Sequence, residues 1–221
     1  MSELVKSLES LLPTYETILP VSGIKVLFKP FRVKDAKTIA IILQENNKKL
    51  ALNFMIDLLR SCTENIAIEK LCLADAEYLF LQVRSKSVDE VLNLIKDNEK
   101  IQVPIESIKV KNTLAEEKIV LGNNITIYLK TPTVKDLLRL NTLEKDDLVK
   151  ASIEKINVKN EIYDINKFVP DDIKTVLDNL PMSVVPKLDQ FLKKQPELYV
   201  MLKTNSGEME VSGLLNFFTY R

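Results

Sequence analysis

Apolar and polar positions change period several times along the chain, and each change predicts an element. Tyr15–Ile18 and Ile24–Lys29 are short β-type runs with the turn Pro20-Val21-Ser22-Gly23 between them, which predicts a β-hairpin. Pro30 ends the second run, because proline has no N–H to give a ladder. The spacing then becomes helical. In Val33–Gln44 the apolar residues Ala36, Ile39, Ala40 and Leu43 share one face. After the break at Asn46-Asn47, Leu50–Arg60 repeats the pattern through Phe54 and Leu58 towards Cys62, and Ala74–Val83 turns Leu79, Phe80 and Val83 inward. These helices predict a layer that covers the hairpin.

The middle of the chain reads as strands. Val88–Ile95, Ile101–Val103, Ile105–Val110, Ile119–Leu121 and Ile125–Leu129 are β-branched runs, punctuated by Asp97-Asn98, Lys111-Asn112 and Gly122-Asn123-Asn124. Thr131-Pro132-Thr133 ends the sheet, and Thr133 with Asp136 makes a capping box for a helix over Val134–Asn141. Further helices are predicted over Asp146–Ile156, Pro170–Leu180 and Pro181–Lys194, with a small hairpin over Val158–Ile165 around Lys159-Asn160. Leu198–Lys203 and Glu208–Val211 form a closing hairpin, and Leu214–Tyr220 is an apolar tail. The fold class is therefore α+β: an N-terminal β-hairpin with a three-helix layer, central antiparallel strands, and C-terminal helices with a closing hairpin. The expected organisation is an N-terminal arm at 1–14, a hairpin, helix and sheet region at 15–132, and a helical region with the closing hairpin at 133–221. The boundary near Pro132 is soft, and one domain is the alternative.

Composition removes most catalytic readings. The 221 residues include no His and no Trp, so a Ser-His-Asp triad, a Cys-His pair and a His-containing metal site are excluded. The four glycines, Gly23, Gly122, Gly207 and Gly213, form no phosphate-binding loop. Adjacent acids such as Glu116-Glu117, Asp146-Asp147 and Asp171-Asp172 point in different directions and do not make a two-carboxylate cleft. No cofactor is expected, and the chain reads as a non-enzyme. Lys+Arg and Asp+Glu are equal at 31 each, and no basic surplus favours nucleic acid. The local cluster Lys29, Arg32, Lys34 and Lys37 lacks free stacking aromatics, since Phe28 and Phe31 read as core anchors. No apolar stretch reaches the roughly 18 residues of a membrane span, and Met1–Lys6 lacks a signal-peptide apolar region. The chain reads as soluble and intracellular.

Tyr15-Glu16-Thr17-Ile18-Leu19-Pro20, then Lys29-Pro30-Phe31-Arg32-Val33-Lys34-Asp35, then Ala74-Asp75-Ala76-Glu77-Tyr78-Leu79-Phe80-Leu81-Gln82-Val83-Arg84-Ser85-Lys86-Ser87-Val88-Asp89-Glu90 occur in that order. This succession resembles the baseplate hub assembly chaperones and hub subunits of T-even-type contractile-tailed phages. The match is strongest over Glu77–Glu90, where the family has an aromatic-rich helix ending in a Lys-Ser-Val turn; Asp89 stands where Gly is usual. The closing hairpin and Phe217-Phe218 are similar to the family's C-terminal end. The resemblance also implies Cys pairs at two hairpin tips in some members. The corresponding places here, near Asp97-Asn98 and Thr204–Gly207, have no thiol, and a fold without metal is expected.

What the resemblance implies is assembly work: binding other baseplate hub or spike proteins during tail morphogenesis. A phage-encoded modulator that binds a host protein is the alternative, and an unfamiliar enzyme using Lys, Tyr or carboxylates is a third reading. Oligomeric state, stoichiometry and partner identity are not in the sequence. The candidate partner-binding residues are Tyr78, Arg84, Lys86, Leu214, Phe217, Phe218 and Tyr220. Tyr78 sits among consecutive apolar residues, Leu79-Phe80-Leu81, which either reach a partner or fill a helix enclosed by its own domain. Arg84 and Lys86, with Asp89 and Glu90, are either interface ion pairs or a solvated helix end. The tail is either a docking segment or packed on its own domain.

Overall fold

The computed structural model describes residues 11–45, 47–96, 99–122, 124–204 and 207–213. In chain order the first elements are β1 (Tyr15–Ile18), β2 (Lys25–Phe28), α1 (Val33–Gln44), α2 (Lys48–Cys62), α3 (Leu73–Ser87), β3 (Val91–Lys96), β4 (Glu99–Pro104) and β5 (Lys109–Lys111). They are followed by β6 (Glu116–Leu121), β7 (Ile125–Lys130), α4 (Val134–Leu138), α5 (Lys145–Ser152), β8 (Ile153–Val158), β9 (Glu161–Asp164), α6 (Pro170–Asp178), α7 (Val185–Lys193), β10 (Glu197–Thr204) and β11 (Gly207–Ser212). All strand pairs are antiparallel, and the mixture is α+β as the patterning predicts.

By its internal contacts the chain forms two compact units, Met1–Lys111 with Glu197–Arg221, and Asn112–Pro196. The expected boundary near Pro132 falls inside the second unit, between β7 and α4. The reason is pairing: β7 is bonded to β6 before Pro132 and to β8 after it. The second unit is thus an insertion between β5 and β10, strands of the first unit that are neighbours, with Lys111 opposite Glu197.

In the first unit β1 and β2 pair with Tyr15 opposite Phe28 and Ile18 opposite Lys25. The strand period puts Val26 and Phe28 inward and Lys25 and Leu27 outward. The Asn47 side chain caps α2 by accepting the Leu50 N–H at 3.0 Å. Beyond α2 lie α3, the β3–β4 hairpin, and the sheet ordered β11-β10-β5. Ile105–Val110, read as one strand, is instead a single 3-10 turn at Ile105–Ser107 followed by β5. Ile105 and Ile108 both turn inward, and the Ile105 N–H closes on the Glu90 carbonyl at 2.9 Å. Strict alternation cannot bury two residues three apart on one side, so the turn replaces it.

In the second unit the sheet order is β6-β7-β8-β9. Ile119, Ile127 and Ile156 lie opposite one another across three strands, and all are buried with Val184, Leu188 and Phe191. Each such side chain contributes about 1.5–3 kcal/mol on burial. Asp146–Ile156, read as one helix, divides: α5 stops at Ser152 and β8 begins at Ile153. Ile153 and Ile156 both join the inner side of the sheet because the register of β8 on β7 shifts between Tyr128 and Leu129, and this tertiary pairing overrides the helical pattern before them. At the β8–β9 turn Lys159 and Asn160 both have positive φ, 49° and 71°, as a two-residue type I′ hairpin requires. Pro181–Lys194 also divides, into a 3-10 turn at Met182–Val184 and α7. Pro186 sits in the first turn of α7, where a missing N–H costs nothing.

Candidate protein-binding site

The segment that carries the resemblance is the centre of the first unit. α3 buries Leu79, Phe80 and Leu81 in succession, so it is covered on more than one side, and it packs against α2 and β10. Its first turn carries Asp75, which is 0% exposed. One carboxylate oxygen accepts the Val21 N–H at 2.9 Å and the other accepts the Ser22 N–H at 2.9 Å. The β1–β2 turn is thereby fixed to the N-terminal end of α3, where a carboxylate also suits the helix dipole. The opposite end does the same for the strand exit. Ser87 Oγ accepts the Phe31 N–H at 2.9 Å and donates to the Val83 carbonyl at 2.6 Å. Cys72, which precedes α3, and Cys62 are both buried free thiols. Burial pushes the Cys72 thiol up to about 11.

The sequence-derived candidates divide around this helix. Tyr78 is half-buried on α3. Arg84 is also half-buried; its guanidinium donates to the Asp89 carbonyl at 3.1 Å, and burial pulls it below its usual value against the attraction of Asp89. Lys86 is exposed, pairs with Glu90, and lies 5.6 Å from the Tyr15 ring centroid. The hydrogen bond to Glu90 holds its ammonium above the usual value. Arg84 and Lys86 therefore meet at the α3–β3 junction with Asp89 and Glu90. Leu214, Phe217, Phe218 and Tyr220 lie outside the described residues.

Among the described residues, apolar surface is open in each unit. In the first unit the outer face of the hairpin presents Ile18 and Leu27, 62% and 50% exposed, beside the Glu16–Lys25 ion pair at 2.8 Å. In the second unit a hollow of about 340 Å3 opens between α5, α6 and α7. Val149, Val184 and Leu188 are buried in its floor, and Met182 and Val185 stand on its lip, Met182 80% exposed. Lys145 bridges its rim to Asp189 at 2.7 Å. Sequence reading missed this site. Its signal was the consecutive pair Val184-Val185, of which a helix covered on one side can turn only one residue to the core. Among the described residues no three His, Cys, Asp or Glu side chains converge as a metal site, and no helix is long and apolar enough to cross a membrane.

A family model described as T4 bacteriophage base plate protein matches residues 12–219. The chain belongs to this family. The match runs through both units, so the inserted second unit falls within the base plate family's pattern along with the hairpin and α3. Comparison with curated proteins gives no match, and neither does comparison with solved structures. The family supports a phage baseplate role and baseplate partners.

Proposed function

We propose that this base plate protein works at the baseplate hub, as an assembly chaperone or hub subunit, by binding hub or spike proteins without catalysing a reaction. The observation that carries the reading is the family match over residues 12–219, joined to a first unit whose Tyr15–Glu90 segments resemble the hub group. The open apolar surfaces support binding as the mode of action. Two residue types used by common catalysts have structural occupations here: Asp75 holds a turn, and the buried thiol of Cys72 is kept protonated. The exposed end of α3 with Lys86, and the segment Leu214–Tyr220, are contact candidates within this reading. Assembly would begin in the host cytoplasm and end at the tail.

The test is removal of the gene during infection, together with purification of the tagged full chain. Hub or spike proteins should co-purify, and baseplates should be missing or defective by electron microscopy. Intact baseplates together with a single host enzyme in the purified fraction would replace this function with host modulation.

A further inference from the structure

The hollow of the second unit differs from a small-ligand pocket. Its floor is apolar, from Val149, Val184 and Leu188; of its charged lining Lys150 is largely buried and tied to Asp147, and the other charged groups stand towards the rim. A small ligand needs a few polar groups converging on it to fix its orientation. A furrow framed by three helices with a methionine on the lip suits the apolar stripe of a further helix, since Met adapts its shape to a partner. The rim charges indicate which helix. Lys145 is held by Asp189 at 2.7 Å, and Lys150 by Asp147 at 2.8 Å. Asp146, Asp178 and Lys174 also line the hollow, and among the described residues none of the three has an ion-pair partner within 4.0 Å. Two open carboxylates face one open ammonium, so the complementary surface is basic.

We propose that the hollow between α5, α6 and α7 receives an amphipathic helix of another baseplate protein, with apolar side chains inserted over Val184 and Leu188 and Lys or Arg set against Asp146 and Asp178. This rests on the protein-binding function above. It deepens that reading by naming the surface and the chemistry of its partner. Val185 and Met182 form the edge that such a helix would cover.

Photo-crosslinking of the full chain during phage assembly tests it. p-Benzoylphenylalanine is placed at Met182 and, in a separate variant, at Ile162 on β9, which is 67% exposed and outside the hollow. The Met182 position should crosslink to a baseplate protein segment with apolar residues at three- and four-residue spacing and Lys or Arg within one turn. Val185→Asp should lower that yield at least tenfold while circular dichroism stays unchanged. The double variant Asp146→Lys, Asp178→Lys, confined to the rim, should lower it at least threefold. A crosslink to a second copy of this chain, to an acidic segment, or none at Met182 overturns the proposal. If the tagged chain still purifies with baseplate proteins, only the site is wrong. If it purifies with none of them, the function above fails as well.

Discussion

Replacing Asp75 by Asn removes one acceptor from a site that uses two. The carboxylate takes the Val21 N–H on one oxygen and the Ser22 N–H on the other, both at 2.9 Å, with the side chain fully enclosed. Hydrogen bonds to a charged acceptor contribute about 1.5–3 kcal/mol each, and a buried donor left unsatisfied costs about 1–3 kcal/mol. Asn keeps one oxygen but turns an NH2 towards the other backbone N–H, so one bond becomes a donor–donor contact. The expected loss is about 2–4 kcal/mol, confined to the first unit. Asp75→Ala, which leaves both N–H groups without a partner and opens a small void, should cost about 3–5 kcal/mol. Urea unfolding followed by circular dichroism gives the stability change, and hydrogen exchange of the Val21 and Ser22 amides localises it. Both amides should exchange faster, while those of the β8–β9 pair in the second unit stay as they were. A variant within about 0.5 kcal/mol of wild type, the scatter of an ordinary surface change, or unchanged exchange at Val21 and Ser22, would refute the lock.

Four further outcomes follow. With its thiol at about 11 against an ordinary 9.0, Cys72 carries about a hundredfold less thiolate at pH 8 in the folded protein than in urea; the higher nucleophilicity of that thiolate offsets about tenfold of this, so it should react with a soluble disulfide at least about tenfold more slowly when folded. The same shift fixes a sign: above pH 9 the unfolded chain releases the Cys72 proton while the folded chain retains it, so the first unit loses stability between pH 9 and about 11, which alkaline melts would show. Burial works to raise the Asp136 carboxyl, but Lys130 at 2.7 Å and the Thr133 N–H at 2.9 Å hold it below its usual value. That contribution is complete above the unfolded value of 3.8 and is lost as pH falls through the lower folded value, so Asp136→Asn should weaken the second unit at pH 7 and flatten its acid melting profile. Finally, replacing residues 112–196 by Asn-Gly should leave a folded first unit, because Lys111 and Glu197 already stand opposite each other as strand partners; loss of cooperative unfolding in the shortened chain would contradict this.

The elements were legible where local chemistry and tertiary pairing agree. Both terminal hairpins, Val33–Gln44 and the Thr133–Asp136 capping box could be read because turn residues, periodicity and caps point the same way. Reading failed at Asp146–Ile156, where the seven helical residues Asp146–Ser152 run straight into a strand with no breaker between Ser152 and Ile153. The pairing of β7 with β8 decides that boundary, and it is a long-range fact. The insertion was hidden for a related reason. Nothing in Lys111-Asn112 announces that its strand partner lies at Glu197. At the candidate sites, the sequence pointed to Tyr78–Lys86 because that segment is distinctive, yet much of its distinctiveness is structural: Asp75 and Ser87 anchor the neighbouring hairpin and its exit strand. The hollow around Met182 takes its lining from α5, α6 and α7, and only folding gathers those residues.

The insertion has a mechanical consequence. The second unit is joined covalently to the first at Lys111–Asn112 and Pro196–Glu197, the adjacent ends of two paired strands. A pull on it therefore loads β5 and β10 as a zipper, opening from the Lys111–Glu197 end one pair at a time, and not as a lap joint that must shear all its bonds together. β5 offers only three residue pairs to that zipper. The mouth is fastened electrostatically, with the Lys111 ammonium 2.9 Å from Glu197 and 2.7 Å from Glu210 on β11. Salt or charge reversal at Lys111 would weaken this fastening and lower the load at which the mouth opens.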